Sequence, residues 1–146
     1  MSVCLIVGCD KGIGRAMALQ LLERGDTVIA ACLGDSEELR SRGIQVESNI
    51  DVCDDASVKA MAKRLKDAGT KIDVLVNVAG VLGVDKLGEI DYDDVRRQFE
   101  INAIGPLLVV ESLLGRVMVA RQHLLAEPLL VLEPETAVTS RSTAVA

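Results

Sequence analysis

The stretch VCLIVGCDKGIGRAMALQLLERG, Val3–Gly25, decides how this chain is built. Val3–Gly8 is an unbroken apolar run rather than an alternating one, the pattern of a parallel strand covered on both faces. Gly8, Gly12 and Gly14 follow at the spacing G-x-x-x-G-x-G. Gly14, Met17, Ala18, Leu21 and Leu22 then recur by threes and ones and draw one stripe on a helix. Gly25 is its stop, and Arg24 suits the negative end of the helix dipole. In such a turn Gly8 permits the sharp departure from the strand, Gly12 leaves room for a pyrophosphate beside the backbone, and Gly14 lets the helix pack close to the sheet. The free amides at the helix start then face the phosphates. Glycines alone mark only a tight turn; between a strand and a helix they mark a phosphate-binding loop.

The pattern continues outward from this unit. TVIAACL (Thr27–Leu33) and IDVLVNVAG (Ile72–Gly80) are further continuous apolar runs, and IQVES (Ile44–Ser48) is a shorter strand candidate. A short helix is expected over Ser36–Arg42, with Gly43 after it. Val58, Met61, Ala62 and Leu65 form a second helical stripe, capped by Asp54 or Asp55 and ended by Gly69. Strand and helix alternate, which predicts an α/β fold with a Rossmann-like, doubly wound parallel sheet. From Asp91 one long helix is expected, with Val95, Phe99, Asn102, Pro106, Val109, Val110 and Leu113 on one face. Pro106 has no amide to donate and should free the Asn102 carbonyl and kink the helix. Beyond about Leu114 no single period holds, and PLLVLEP (Pro128–Pro134) and TAVTS (Thr136–Ser140) are both strand candidates. The expected organisation is a nucleotide-binding domain over 1–114 and a divergent tail over 115–146 that could carry a fifth strand.

The 146 residues are 49% apolar and 26% charged, a globular composition. A net charge of −6 argues against nucleic acid or an anionic membrane as partner. Tyr92 and Phe99 are the only aromatics, too few for a platform that stacks bases. Cys4, Cys9, Cys32 and Cys53 form no C-x-x-C pair and His123 is the single histidine, so no metal site is expected. Cys4 and Cys32 lie in apolar runs as small buried hydrophobes, and such cysteine usage fits the reducing cytoplasm. No basic region precedes the first apolar run, so it does not read as a signal peptide. No run approaches the ~20 apolar residues of a membrane helix.

Four motifs in order resemble the classical short-chain dehydrogenase/reductase family, over Val3 to about Leu114. They are the glycine loop, Asp51-Val52 after the third strand, NVAG (Asn77–Gly80) after the fourth, and Asn102 in INAIGP. VTSR, Val138–Arg141, adds a faint similarity to the C-factor-like subgroup. The resemblance implies cofactor contacts from Gly8, Lys11, Gly12, Ile13, Gly14, Asp51, Val52, Asn77, Ala79 and Gly80. In the family the Asp-Val pair holds adenine, and the carbonyl of the helix asparagine, here Asn102, holds a water in the proton relay. Ligands in such sheets bind at the carboxyl ends of the strands, where Asn77 and Gly80 fall. The cofactor is expected to be NADP, or else NAD. Cys32 stands where NAD binders place a carboxylate, and Lys11 resembles the basic residue of NADP binders. Leu33, where a second arginine often stands, and Asp35 keep NAD open.

The same resemblance exposes a gap. Family chemistry uses serine, tyrosine and lysine, with the last two paired as Y-x-x-x-K so that the lysine charge lowers the tyrosine pKa. Here Tyr92 is followed four positions on by Arg96, the pair precedes Asn102 instead of following it, and no lysine occurs after Lys86. Ser140 is the candidate serine if TAVTS is the fifth strand; Ser112 reads as a packed or back-bonding hydroxyl. The expectation is a homologue truncated or altered toward its C-terminus, which keeps the adenine and pyrophosphate half of the site and is inactive alone. The alternatives are a non-catalytic module that pairs with itself or a relative through the helix from Asp91, or an incomplete gene product.

Overall fold

The computed structural model describes residues 1–83, 87–122 and 131–132. Strand β1 (Val3–Val7) leads through the glycine loop into helix α1 (Gly12–Glu23), then β2 (Thr27–Ala31), α2 (Glu37–Ser41), β3 (Gln45–Glu47), α3 (Asp55–Asp67) and β4 (Ile72–Asn77). The helical segment that follows has two parts, α4 (Tyr92–Phe99) and α5 (Gly105–Ser112), joined by a π turn over Glu100–Ile104. Strands β5 (Val117–Gln122) and β6 (Val131–Leu132) complete the described elements.

The strands lie in the order β3-β2-β1-β4-β5-β6. The first five are parallel and β6 runs antiparallel to β5. Both faces are covered, which is why the strands are continuous apolar runs. On one face Leu5, Val7, Ile29, Leu75, Val58, Met61, Leu65, Val109 and Leu113 form a core with α3 and α5. On the other, Ile6, Val28, Ala30, Val76, Ala18 and Leu39 pack with α1 and α2. Of the two expected caps of α3, Asp54 is in place and accepts from the Ala56 amide; Ser36, expected as the first helical residue, is the N-cap of α2 and accepts from the Leu39 amide. Buried charges are paired: Glu47 accepts from Arg64 (2.9 Å), and Asp26 from Arg24 and the Ser2 amide.

Two sequence expectations need correction. The fifth strand is Val117–Gln122, registered against β4 from Ile72↔Val117 to Asn77↔Gln122, not TAVTS. Its sequence, VMVARQ, carries an arginine and a glutamine at one end, which hid it from a search for apolar runs. Val131–Leu132 of the PLLVLEP segment forms β6; Ser140, TAVTS and VTSR lie outside the described residues. The helix from Asp91 is not one apolar face. Pro106, Val109 and Leu113 are buried, whereas Val95 and Phe99 are exposed, Phe99 by 63%. The two halves part at the π turn, where the Gly105 amide donates to the Glu100 carbonyl five residues back. Pro106 cannot bond the Asn102 carbonyl four residues back, so the helix widens where the sequence predicts a break.

Candidate nucleotide-binding site

The register brings the carboxyl ends of five strands into one row, Glu47, Ala31, Val7, Asn77 and Gln122. From β1 the sheet runs to β2 on one side and to β4 on the other, the switch point at which such sheets bind ligands. Gly8 leaves β1 with φ +98°, and its amide donates to the Ala31 carbonyl (2.9 Å). On the other side the Val78 and Ala79 amides donate to the Val7 carbonyl (2.8 and 2.9 Å). The loops after β1 and β4 are therefore packed backbone to backbone. A Cβ at Gly8 would stand 2.5 Å from the Ala79 nitrogen, so only glycine fits.

Gly14 is buried at the first turn of α1, where a Cβ would collide with the Gly8 carbonyl. The sequence assigns Gly14 to packing of helix against sheet; the surface it meets is the strand-leaving turn itself. Gly12 differs. Its φ is +59°, and a Cβ there would meet nothing within 4 Å, as at the turn glycines Gly25, Gly43 and Gly69, so the space beside the loop is open. Lys11, exposed and extended (φ −162°), is the N-cap residue of α1 and gives no side-chain cap; Ile13 is exposed beside it. Cys9 is fully buried in the loop and its thiol donates to the Ile6 carbonyl (3.3 Å). Burial pushes its pKa far up, so it is packing and not a nucleophile.

The third motif sits at the rim of the row. Asp51 is exposed, and its Oδ1 accepts from the Cys53 amide (2.9 Å) while Ser57 ties its backbone. Val52 is buried beneath Gly105, whose Cβ would stand 2.8 Å from Val52 Cγ2, so the loop after β3 and the start of α5 interlock. Asn77 is 3% exposed, and its Oδ1 has no hydrogen-bond partner among the described residues. A buried amide oxygen left unpaired at the end of β4 lacks a partner that the described residues do not supply. Gly80 lies next to the Asn102 side chain, and a Cβ there would stand 3.2 Å from Asn102 Oδ1. Asn102 uses its amide as a clamp: Oδ1 accepts from the Val81 amide (2.9 Å) and Nδ2 donates to the Val81 carbonyl (2.8 Å).

The structure thus gathers Gly8, Lys11, Gly12, Ile13, Gly14, Asn77, Ala79 and Gly80 around two adjoining loops, with Asp51 and Val52 in the loop after β3. Asn102 joins them through Val81. Tyr92 is exposed at the first position of α4, after the capping Asp91. Ser112 packs with its Oγ buried and no partner among the described residues. Sequence reasoning missed Asp10. Its carboxylate accepts from the Leu33 (3.0 Å) and Gly34 (2.8 Å) amides and fastens the turn after β2 to the glycine loop. An acid inside the quoted loop was the available signal, but its partners lie in another loop.

A family model described as short chain dehydrogenase matches residues 2–123. The chain belongs to the short-chain dehydrogenase family. The match reaches past Leu114 and takes in β5. A 1-hydroxy-2-glutathionyl-2-methyl-3-butene dehydrogenase of Rhodococcus sp. (strain AD45) is 49% identical over 112 residues, 77% of this chain and 50% of that protein. Human retinol dehydrogenase 5 is 39% identical over 127 residues, 80% of this chain and 39% of that one. The ligand-free aldohexose dehydrogenase of Thermoplasma acidophilum superposes with a TM-score of 0.69 at 28% identity, over 79% of this chain and 44% of that one. The chain spans half or less of the length of each of these relatives. The family generally binds a nicotinamide dinucleotide. Among the described residues no helix is long and apolar enough to cross a membrane.

Proposed function

We propose that this chain binds a nicotinamide dinucleotide across the carboxyl ends of β1, β2 and β4, and forms the nucleotide half of a hydride-transfer site. The observation that carries the reading is the contrast among the loop glycines: Gly8 and Gly14 are locked by backbone contacts, and Gly12 faces empty space. The residues fit the group. The start of α1 offers amides to the phosphates, the end of β2 lies where the adenine ribose would sit, and the unpaired Asn77 Oδ1 waits at the end of β4. When bound, the nicotinamide supplies or accepts the hydride exchanged with a carbonyl or an alcohol. Asn102 holds the Val81 loop against the π turn beside Gly80 and so shapes the far wall of the site. Ser140 was the candidate serine on the condition that TAVTS is the fifth strand, and with β5 at Val117–Gln122 that condition is not met. The chain carries no Y-x-x-x-K pair, so nothing in it matches the family's proton donor, and it should not turn over alone. The four free cysteines favour the cytoplasm as its place of action.

Calorimetric titration with NADH and NADPH tests the binding. Saturable binding is expected, and Gly12→Ala should weaken it at least about tenfold, because the methyl occupies phosphate space and strains a backbone at φ +59°; a thermal melt separates the second effect from the first. Absence of binding to either dinucleotide overturns the reading. A dose-dependent rate with a ketone and NADPH would overturn the proposed inactivity.

A second reading rests on Val95, Phe99, Ile104 and Leu107, all exposed along α4, the π turn and α5. Such apolar exposure favours pairing of this helical segment with a second copy. Light scattering after size exclusion would show a discrete dimer, and a monomer would refute it.

A further inference from the structure

Resting on the nucleotide-binding reading above, we propose that Asp10, supported by Asp35, makes this site select an unphosphorylated adenine ribose, so that NAD(H) binds in preference to NADP(H). The sequence argument ran the other way, from Lys11 and from Cys32 in the place of a carboxylate. The folded chain returns a carboxylate to that place from another loop. Asp10 Oδ2 and Oδ1 accept from the Leu33 and Gly34 amides, the two amides just beyond Cys32. This contact places a negative charge at the end of β2. It also occupies the two amides that an incoming phosphate would need there.

The neighbouring charges reinforce the effect. Asp35 accepts from the Ser36 amide (2.9 Å), Ser48 Oγ (2.7 Å) and Arg40 Nη2 (2.8 Å). Arg40 is thereby tied to a carboxylate instead of being offered to a ligand. Arg15, on the first turn of α1, is likewise tied to Glu38. With Asp35 and Glu38 taken by these arginines, Lys11 is the cation and Asp10 the carboxylate of this corner that stand outside an ion pair among the described residues. Cys32 registers the same field: burial, then the charges of Asp10 and Asp35, push its thiol up to about 11. A 2′-phosphate would bring nearly two further negative charges into this corner. The 2′- and 3′-hydroxyls of a plain ribose would instead donate to a carboxylate.

The test titrates the full chain calorimetrically with NADH and NADPH at matched ionic strength. NADH should bind at least about tenfold more tightly, the size expected for like charges at a protein surface. Asp10→Ser should move the affinity ratio about tenfold toward NADPH, and Asp35→Asn should move it the same way by less. Thermal melts confirm that each variant is folded. An arm without variants covers the case in which Asp10→Ser unfolds: added salt screens the repulsion, so the wild-type ratio should shrink. Equal or tighter NADPH binding overturns the inference and leaves the nucleotide site standing. So does a ratio unmoved by both salt and substitution. Failure of both dinucleotides to bind removes the site itself and the inference with it.

Discussion

The loops after β1 and β4 lie side by side, yet they are held in different ways. The first, Gly8–Gly14, is fixed by main chain pressed on main chain, at distances that admit no side chain. The second, from Val78 to Gly83, is held beyond Ala79 by side chains: Asn102 clamps Val81 from 21 positions away, and Gly83 lies against Asp94 and Gln98. Close backbone approach demands glycine, and glycine is visible in a sequence. A side-chain clamp onto a backbone amide makes no demand on the residue it holds, so Val81 carries no trace of its role. The lesson is that a phosphate loop announces itself, whereas the wall opposite it is found only after folding.

Three measurements press on this contrast. The largest effect is expected at Gly14. Gly14→Ala drives a methyl into the Gly8 carbonyl, which cannot yield without moving β1 or α1. A loss of about 3 kcal/mol is expected from urea unfolding, with loss of nucleotide binding. An unchanged midpoint would show that the loop tolerates what its geometry forbids.

Asn102→Ala should have a smaller effect, about 2 kcal/mol, because it deletes two hydrogen bonds and leaves a half-buried amide and carbonyl unpaired. The damage should be local. The Val81 amide should exchange faster with solvent while the amides of the glycine loop stay protected. Equal loss of protection in both loops would mean that they form a single unit.

The smallest effect concerns the rim of the nucleotide side. Hydrogen bonds from Ser48, then Arg40 and Ser36, hold the Asp35 carboxyl at about 2, below its unfolded value near 4. A carboxyl with a lowered folded pKa stabilises the chain fully above its unfolded pKa and loses that contribution as pH falls toward the folded one. Asp35→Asn should therefore lower stability near neutrality and flatten the acid limb between about pH 4 and pH 2 by the same amount, a small one because the group is exposed. An acid limb identical to wild type would place the acid sensitivity elsewhere, with Asp26 the next carboxyl held low, by the Ser2 amide and Arg24.

Much of the fold was legible because its strands are covered on both faces and its helices on one. Val3–Val7, Thr27–Ala31 and Ile72–Asn77 stand out as unbroken apolar runs, and the stripe Val58, Met61, Ala62, Leu65 is buried as its spacing requires. β5 was missed because VMVARQ mixes apolar and polar residues, and its place as a strand depends on registration against β4. Val95 and Phe99 misled for the opposite reason. Their helical spacing matches that of Val109 and Leu113, but no layer of the described chain covers α4. Periodicity reports a face and is silent on whether anything meets it.

What the sequence determined by itself is local in origin: the strand–glycine loop–helix unit, the cap at Asp54, and the break at Pro106. Each follows from a backbone preference of the residue concerned or of its close neighbours. What the tertiary structure alone decided is which distant groups meet. It laid Asp10 on the Leu33 and Gly34 amides, closed Asn102 on Val81, and seated Gly105 on Val52. The physical reason is common to all three. A backbone amide or carbonyl is the same whatever the residue, so a contact made to it takes its identity from the fold that presents it, and the bare Cα of a glycine shows that something comes close without showing what.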